Sequence, residues 1–272
     1  MEWKNIYRGL LMGASDVVPG VSGGTIAVVL GIYERLIEAI NGIFSKDWKR
    51  HLRFLLPLGI GIGIAILLLA RLMEYLFEHY PGPTLFAFLG LIIGVLPYLF
   101  HKADARNTFK ASHIVLLLIG AAIVASMAFF NAGETEPIEN FTFMTYLFLF
   151  FCGFIASSAM ILPGISGSFI LLIIGAYTTI IAAISNLQLD VIAVVGIGIV
   201  LGLGAMSKVI NYLLNNFTTG TFAVVIGRVI GSTVVIFPGW PANLSELIIS
   251  VITFGLGLFV AYLLGRVEYK ED

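Results

Sequence analysis

Long apolar runs separated by short polar connections dominate this chain. They form eight blocks, at about 6–40, 54–78, 84–100 and 112–130, and again at about 142–184, 190–214, 220–237 and 247–265. A helix crosses a bilayer with roughly 20 apolar residues, in a range of about 17 to 25. Transmembrane β-strands instead alternate apolar and polar positions. Residues 114–130 run apolar without alternation, so the blocks are predicted to be helices. The first block of each set is interrupted near its centre, by Pro19-Gly20 and by Pro163-Gly164. Proline removes a helix donor and clashes with the preceding turn. The arms around the first break, roughly 6–17 and 24–40, are each short for a full crossing. A re-entrant hairpin that dips into the membrane and returns is the expected solution.

The two sets of blocks align with each other. With Pro19 set against Pro163, the segment from Gly9 to Ile40 runs beside Gly153 to Ile184. Gly20/Gly164, Ser22/Ser166, Gly23/Gly167, Gly31/Gly175 and Tyr33/Tyr177 then coincide. After a gap, Gly59-Ile60-Gly61-Ile62 meets Gly196-Ile197-Gly198-Ile199, and Thr84, Gly90 and Gly94 meet Thr221, Gly227 and Gly231. Identities at Pro, Gly, Ser and Tyr in constant order indicate a duplication. The chain is therefore expected to be one all-α integral membrane domain of two repeats, 1–131 and 141–272. Each repeat comprises a broken-helix hairpin and three transmembrane helices. The early apolar run is not taken for a cleaved signal, because its pattern returns near residue 155.

Charge gives the repeats a direction. If each hairpin returns to its own side, the segments 1–8, 35–53, 101–111, 208–219 and 266–272 share one face. They hold 13 of the 15 Lys and Arg residues. Positive charge marks the cytoplasmic face, so both termini are expected there. Three crossings per repeat then make the two repeats inverted. Trp3, Trp48 and Trp240 fall near the expected interfaces.

Composition agrees and narrows the chemistry. The chain is 59% hydrophobic and 11% charged, with a net charge of −1, against about 25% charged for a soluble domain. The single cysteine, Cys152, excludes an internal disulfide, and the four histidines are scattered. No G-x-x-x-x-G-K-[ST] loop is present. No cofactor, metal or nucleic-acid partner is expected.

Inverted repeats with interrupted helices are typical of secondary transporters. At each break, backbone N–H groups lose their helical partners and must find something polar. Ser22, Gly23, Gly24 and Thr25 open one second arm, and Ser166, Gly167 and Ser168 open the other. A helix N-terminus with bare glycine backbone and hydroxyl donors favours an anion, such as phosphate or carboxylate. The bland alternative is that these glycines serve helix packing.

Arg228 lies mid-span, where an arginine costs at least about 2.5 kcal/mol. Its repeat mate is Leu91, so the duplication does not explain it. It either binds an anion or pairs with Asp16 or Glu74. Asp16, beside Ser15 and just before the first break, either couples transport to protons or caps backbone donors. Its mate is Met160, with Ser157 and Ser158 on the equivalent arm. Arg71 and Lys208 are secondary candidates whose default role is to snorkel to an interface.

The runs G-A-S-D-V-V-P-G-V-S-G-G-T (13–25), G-I-Y-E-R-L (31–36) and S-S-A-M-I-L-P-G-I-S-G-S (157–168) resemble those of a prokaryotic membrane family assigned as polyprenyl-phosphate transporters. The resemblance covers essentially the whole chain. It implies that the substrate is undecaprenyl phosphate or its archaeal counterpart, returned from the outer to the inner leaflet of the plasma membrane for envelope synthesis. Two other classes stay open. Intramembrane undecaprenyl-pyrophosphate phosphatases carry a similar P-G-x-S motif, although this chain lacks their arginine and their glutamate-rich helix, with only Glu34 and Glu38 four apart. A transporter of a small soluble anion is the third.

Overall fold

In the computed structural model, residues 2–16, 22–43, 45–130, 136–138 and 140–268 are described. The Pro19-Gly20 break, Glu134, Glu139 and Lys270 lie outside them, as do the side chains of Arg71, Glu74 and Arg266. Among the described residues there are helices and no strands. The first half contains α1 (Lys4–Asp16), α2 (Gly23–Val29), α3 (Tyr33–Gly42), α4 (Trp48–His79), α5 (Pro81–Lys102), α6 (Ala105–Thr108) and α7 (Ala111–Ser126). The second contains α8 (Phe143–Met160), α9 (Gly167–Ile174), α10 (Tyr177–Ser185), α11 (Leu189–Asn216), α12 (Thr218–Ile236) and α13 (Leu244–Glu268). Apart from the short α6, the second half repeats the order of the first.

Seven helices are long and apolar enough to cross a membrane. Six are the expected crossings α4, α5, α7, α11, α12 and α13. The seventh is α8, expected to be the first arm of a re-entrant hairpin and here 18 residues long. Thr142 sets where it starts. Its side chain caps the helix at Thr145 N–H, and nothing interrupts the apolar run before Pro163.

The second arm of each hairpin is also not one helix, as 24–40 was expected to be. It breaks between α2 and α3 and between α9 and α10, and the latter pair bends by 110°. The breaks fall at Gly31 (φ 67°) and Gly175 (φ 80°). A left-handed backbone ends a helix, and glycine takes it without a Cβ penalty.

Packing follows the paired glycines. A Cβ on Gly9, Gly13 or Gly61 would strike the α1–α4 interface, and one on Gly153, Gly198 or Gly202 would strike α8–α11. In both cases the obstacle is mainly a carbonyl of the facing helix. Lipid gives no hydrophobic drive between helices, so close backbone approach through small residues holds them together. The remaining long helices exchange between halves. Gly90 and Gly257 bring α5 against α13, and Gly120, Gly227 and Gly231 bring α12 against α7. The interlocked halves bury α2, α3 and the middle of α12 around Ile26, Val29, Ile37, Ile92, Ile226 and Val229. Outward-facing Leu67, Leu118, Ile197 and Val251 are exposed, as lipid-facing residues should be.

Candidate functional site

The start of α2 meets the break of the second hairpin, residues 161–166 between α8 and α9. Gly164 N–H donates to Thr25 Oγ1 at 2.9 Å, linking parts of the chain 139 residues apart. Gly164 has φ 90°, and a Cβ on it would come within 2.7 Å of the Arg228 carbonyl oxygen. Gly24 faces the same break, where a Cβ would stand 3.1 Å from the Met160 carbonyl oxygen. Only bare backbone allows these three segments to converge.

The donors at this junction are largely engaged. Ser22 Oγ accepts from Thr25 N–H at 3.2 Å and lies 3.0 Å from Thr25 Oγ1. Gly23 N–H donates to Asp16 Oδ1 at 2.6 Å. The N-terminus of α2 is therefore capped by a carboxyl group of the protein itself. Of the two roles considered for Asp16, capping is the one displayed here. The start of α9 differs. Ser166 makes no capping hydrogen bond and instead shares one with Ser168 at 2.7 Å. Gly167 packs beneath Ala156 and Met160.

Arg228 is 5% exposed, in the middle of α12. Its Nε and Nη2 have no hydrogen-bond partner, and neither has the Tyr33 hydroxyl. Both side chains line one cavity of about 690 Å³. His113, Asn216 and Thr218 line the same cavity. These residues stand at the ends of α7, α11 and α12 that the charge bias assigns to the cytoplasm. A second cavity, of about 570 Å³, reaches Arg228 from the flank of the molecule between α7, α8, α11 and α12. Arg228, Leu162 and Val224 line both. Tyr33 was noted in the sequence as the mate of Tyr177 but not as a site residue. A tyrosine kept in both copies at the start of the same short helix was the available signal.

Asp16 is not the partner of Arg228. It lines a third cavity of about 360 Å³ with Gly23, Gly24, Met160 and Ile161, whereas Arg228 lines the other two. The remaining candidates lie apart. Ser15 Oγ donates to the Met12 carbonyl and Ser158 Oγ to the Gly202 carbonyl, although Ser158 also lines the second cavity. Lys208 is exposed on α11, as a snorkelling lysine would be. Glu34 pairs with Lys102 at 3.3 Å and Glu38 with Arg50 at 4.0 Å. These two glutamates line a fourth cavity, with Arg50 and Asn211, that Arg228 does not share.

A family model described as undecaprenyl phosphate translocase-like matches residues 12–261. The chain belongs to this family. A polyprenyl-phosphate transporter of Staphylococcus aureus is 42% identical over all of this chain and 99% of its own length. A protein of the same name from Vibrio cholerae is 37% identical over 90% of this chain and 80% of its own. No solved structure matches the chain. The matched span runs from the last turn of α1 into α13 and takes in the second hairpin, the seven candidate crossings in whole or part, and Arg228.

Proposed function

We propose that this chain transports polyprenyl phosphate, with undecaprenyl phosphate as the substrate and Arg228 as the residue that takes its phosphate. The observation that carries the reading is the buried guanidinium with unpaired Nε and Nη2. An arginine at mid-span is already costly, and buried donors without acceptors add to that cost. A ligand that supplies oxygens to both nitrogens offsets both. A phosphate monoester does so with parallel charge-assisted bonds. Tyr33 adds a neutral donor to the same cavity.

The same reading covers the hairpins. The two repeats are inverted, with both termini cytoplasmic, and the Lys/Arg bias supports this arrangement. The recurring helix order and glycine pairings agree with it. Ser22, Gly23, Gly24 and Thr25 from one tip, and Ser166, Gly167 and Ser168 from the other, flank the path of the headgroup. In this conformation Asp16 occupies the first tip. A proton on Asp16 would remove its charge and free that tip for the phosphate, which makes Asp16 the coupling residue. Net movement runs from the outer to the inner leaflet, returning the carrier lipid for reuse.

The test uses purified protein in vesicles with undecaprenyl phosphate in one leaflet. Wild-type protein should move the lipid and Arg228→Met should not. Release of inorganic phosphate from undecaprenyl pyrophosphate would point instead to a phosphatase. Transport of free phosphate without the lipid would point to a soluble-anion carrier.

A further inference from the structure

We infer that the cavity on the flank of the molecule, between α7, α8, α11 and α12, is the slot that holds the first isoprene units of the substrate while its phosphate sits at Arg228. This inference rests on the proposed function and adds a second subsite to it. The cavity is bounded by Ile119 and Ile123 of α7, Ile155 of α8, Leu162 of the second break, and Met206 and Val209 of α11. Apart from Arg228, the one polar side chain on its wall is Ser158, and that hydroxyl is already bonded to the Gly202 carbonyl. The slot therefore makes no polar demand on its occupant. At its inner end it shares Arg228, Leu162 and Val224 with the cavity that Tyr33 lines. A molecule filling both needs an anionic head joined directly to an apolar chain.

Its outer walls belong to crossing helices, and Ile119, Ile123, Ile155 and Val209 are 49%, 53%, 47% and 50% exposed, so the slot is open to lipid. A chain lying there leaves the protein sideways, without crossing the cavity that Tyr33 lines. The other apolar recess, beneath the first hairpin, ends at Asp16. A carboxylate there repels a phosphate, so charge complementarity selects the flank.

The test narrows the slot from both walls in the full chain, with Ile123→Trp and Ile155→Trp. Ile252→Trp, on the exposed face of α13, is the control. Affinity is measured for two probes, geranyl phosphate and undecaprenyl phosphate. Geranyl phosphate reports the head site with little tail. The wall variants should weaken undecaprenyl phosphate by at least about tenfold, leave geranyl phosphate within about twofold, and match the control in Tm. Equal loss of both probes, or no loss of either, overturns the slot. If wild-type protein binds neither probe, the proposed function itself fails. A second measurement does not depend on the tryptophans. A photoreactive side chain at position 155 should label undecaprenyl phosphate in a way that unlabelled undecaprenyl phosphate competes and phosphatidylglycerol does not. Equal competition by phosphatidylglycerol would make the slot a general acyl-chain groove and overturn the assignment.

Discussion

Arg228→Met separates a ligand-binding arginine from a structural one. Methionine keeps an unbranched apolar side chain in the position and removes the guanidinium. In the ligand-free protein Nε and Nη2 are buried without acceptors. Nε carries one N–H and Nη2 two, so the substitution deletes three unpaired donors and a desolvated charge. Removing an unpaired buried charge is neutral or stabilising, and Tm of the ligand-free variant should equal or exceed that of wild type. Binding should move the other way. Hydrogen bonds to charged groups contribute about 1.5–3 kcal/mol each. Losing two costs about 3–6 kcal/mol, or roughly a hundred- to ten-thousandfold in Kd. Titration of geranyl phosphate into detergent-solubilised protein, read by isothermal calorimetry, measures the loss. Arg228→Lys should fall between, because it keeps the charge and loses the fork. The reasoning is refuted if Arg228→Met binds within about threefold of wild type, or if its ligand-free Tm drops by several degrees.

Asp16→Asn keeps an oxygen for Gly23 N–H but cannot take up a proton, so transport should lose its pH dependence while binding changes little; an unchanged pH profile would leave Asp16 a cap only. Thr25→Val leaves the buried Gly164 N–H without its acceptor, which should cost about 1–3 kcal/mol and lower Tm; equal melting would mean that the hairpin tips are held by packing alone. Gly61→Leu puts a side chain into the α1 backbone and should destabilise the protein far more than Gly63→Leu, whose Cβ meets nothing within 4 Å. For topology, cysteines introduced at Asn186 and Lys49 should be labelled from outside and from the cytoplasm respectively, against a low background from buried Cys152; cytoplasmic labelling at Asn186 would contradict the inverted arrangement.

Much of this architecture could be read in the chain because lipid is a simple solvent. Six of the seven candidate crossings follow from block length alone, and the residues that coincide between the two halves do local work. Gly61 and Gly198 are identical because each admits a neighbouring backbone, and Gly31 and Gly175 because each ends a short helix with positive φ. Their meaning was still partly hidden. A glycine that allows packing and one that turns the chain look alike without the fold, so the bend inside each second arm did not show. The exchange of α7 and α13 between halves depends on contacts distant in sequence. Arg228 stood out because a charge at mid-span is anomalous, whereas Tyr33 did not, since an aromatic residue in an apolar run is ordinary. Asp16 illustrates the remaining limit. Its position beside the break was evident, but whether it faced Arg228 or Gly23 depended on which side of the Met160–Ile165 segment it fell.

The central claim is that the phosphate of the carrier lipid rests on Arg228 at the junction of the Tyr33 cavity and the flank slot. A density map of the protein with bound undecaprenyl phosphate tests it most directly. Phosphate oxygens should lie at about 2.7–2.9 Å from the guanidinium nitrogens, with the Tyr33 hydroxyl alongside and the chain leaving past Leu162. Phosphate density beside Arg50 and Glu38, or in the Asp16 cavity with Arg228 still unpartnered, would contradict the account.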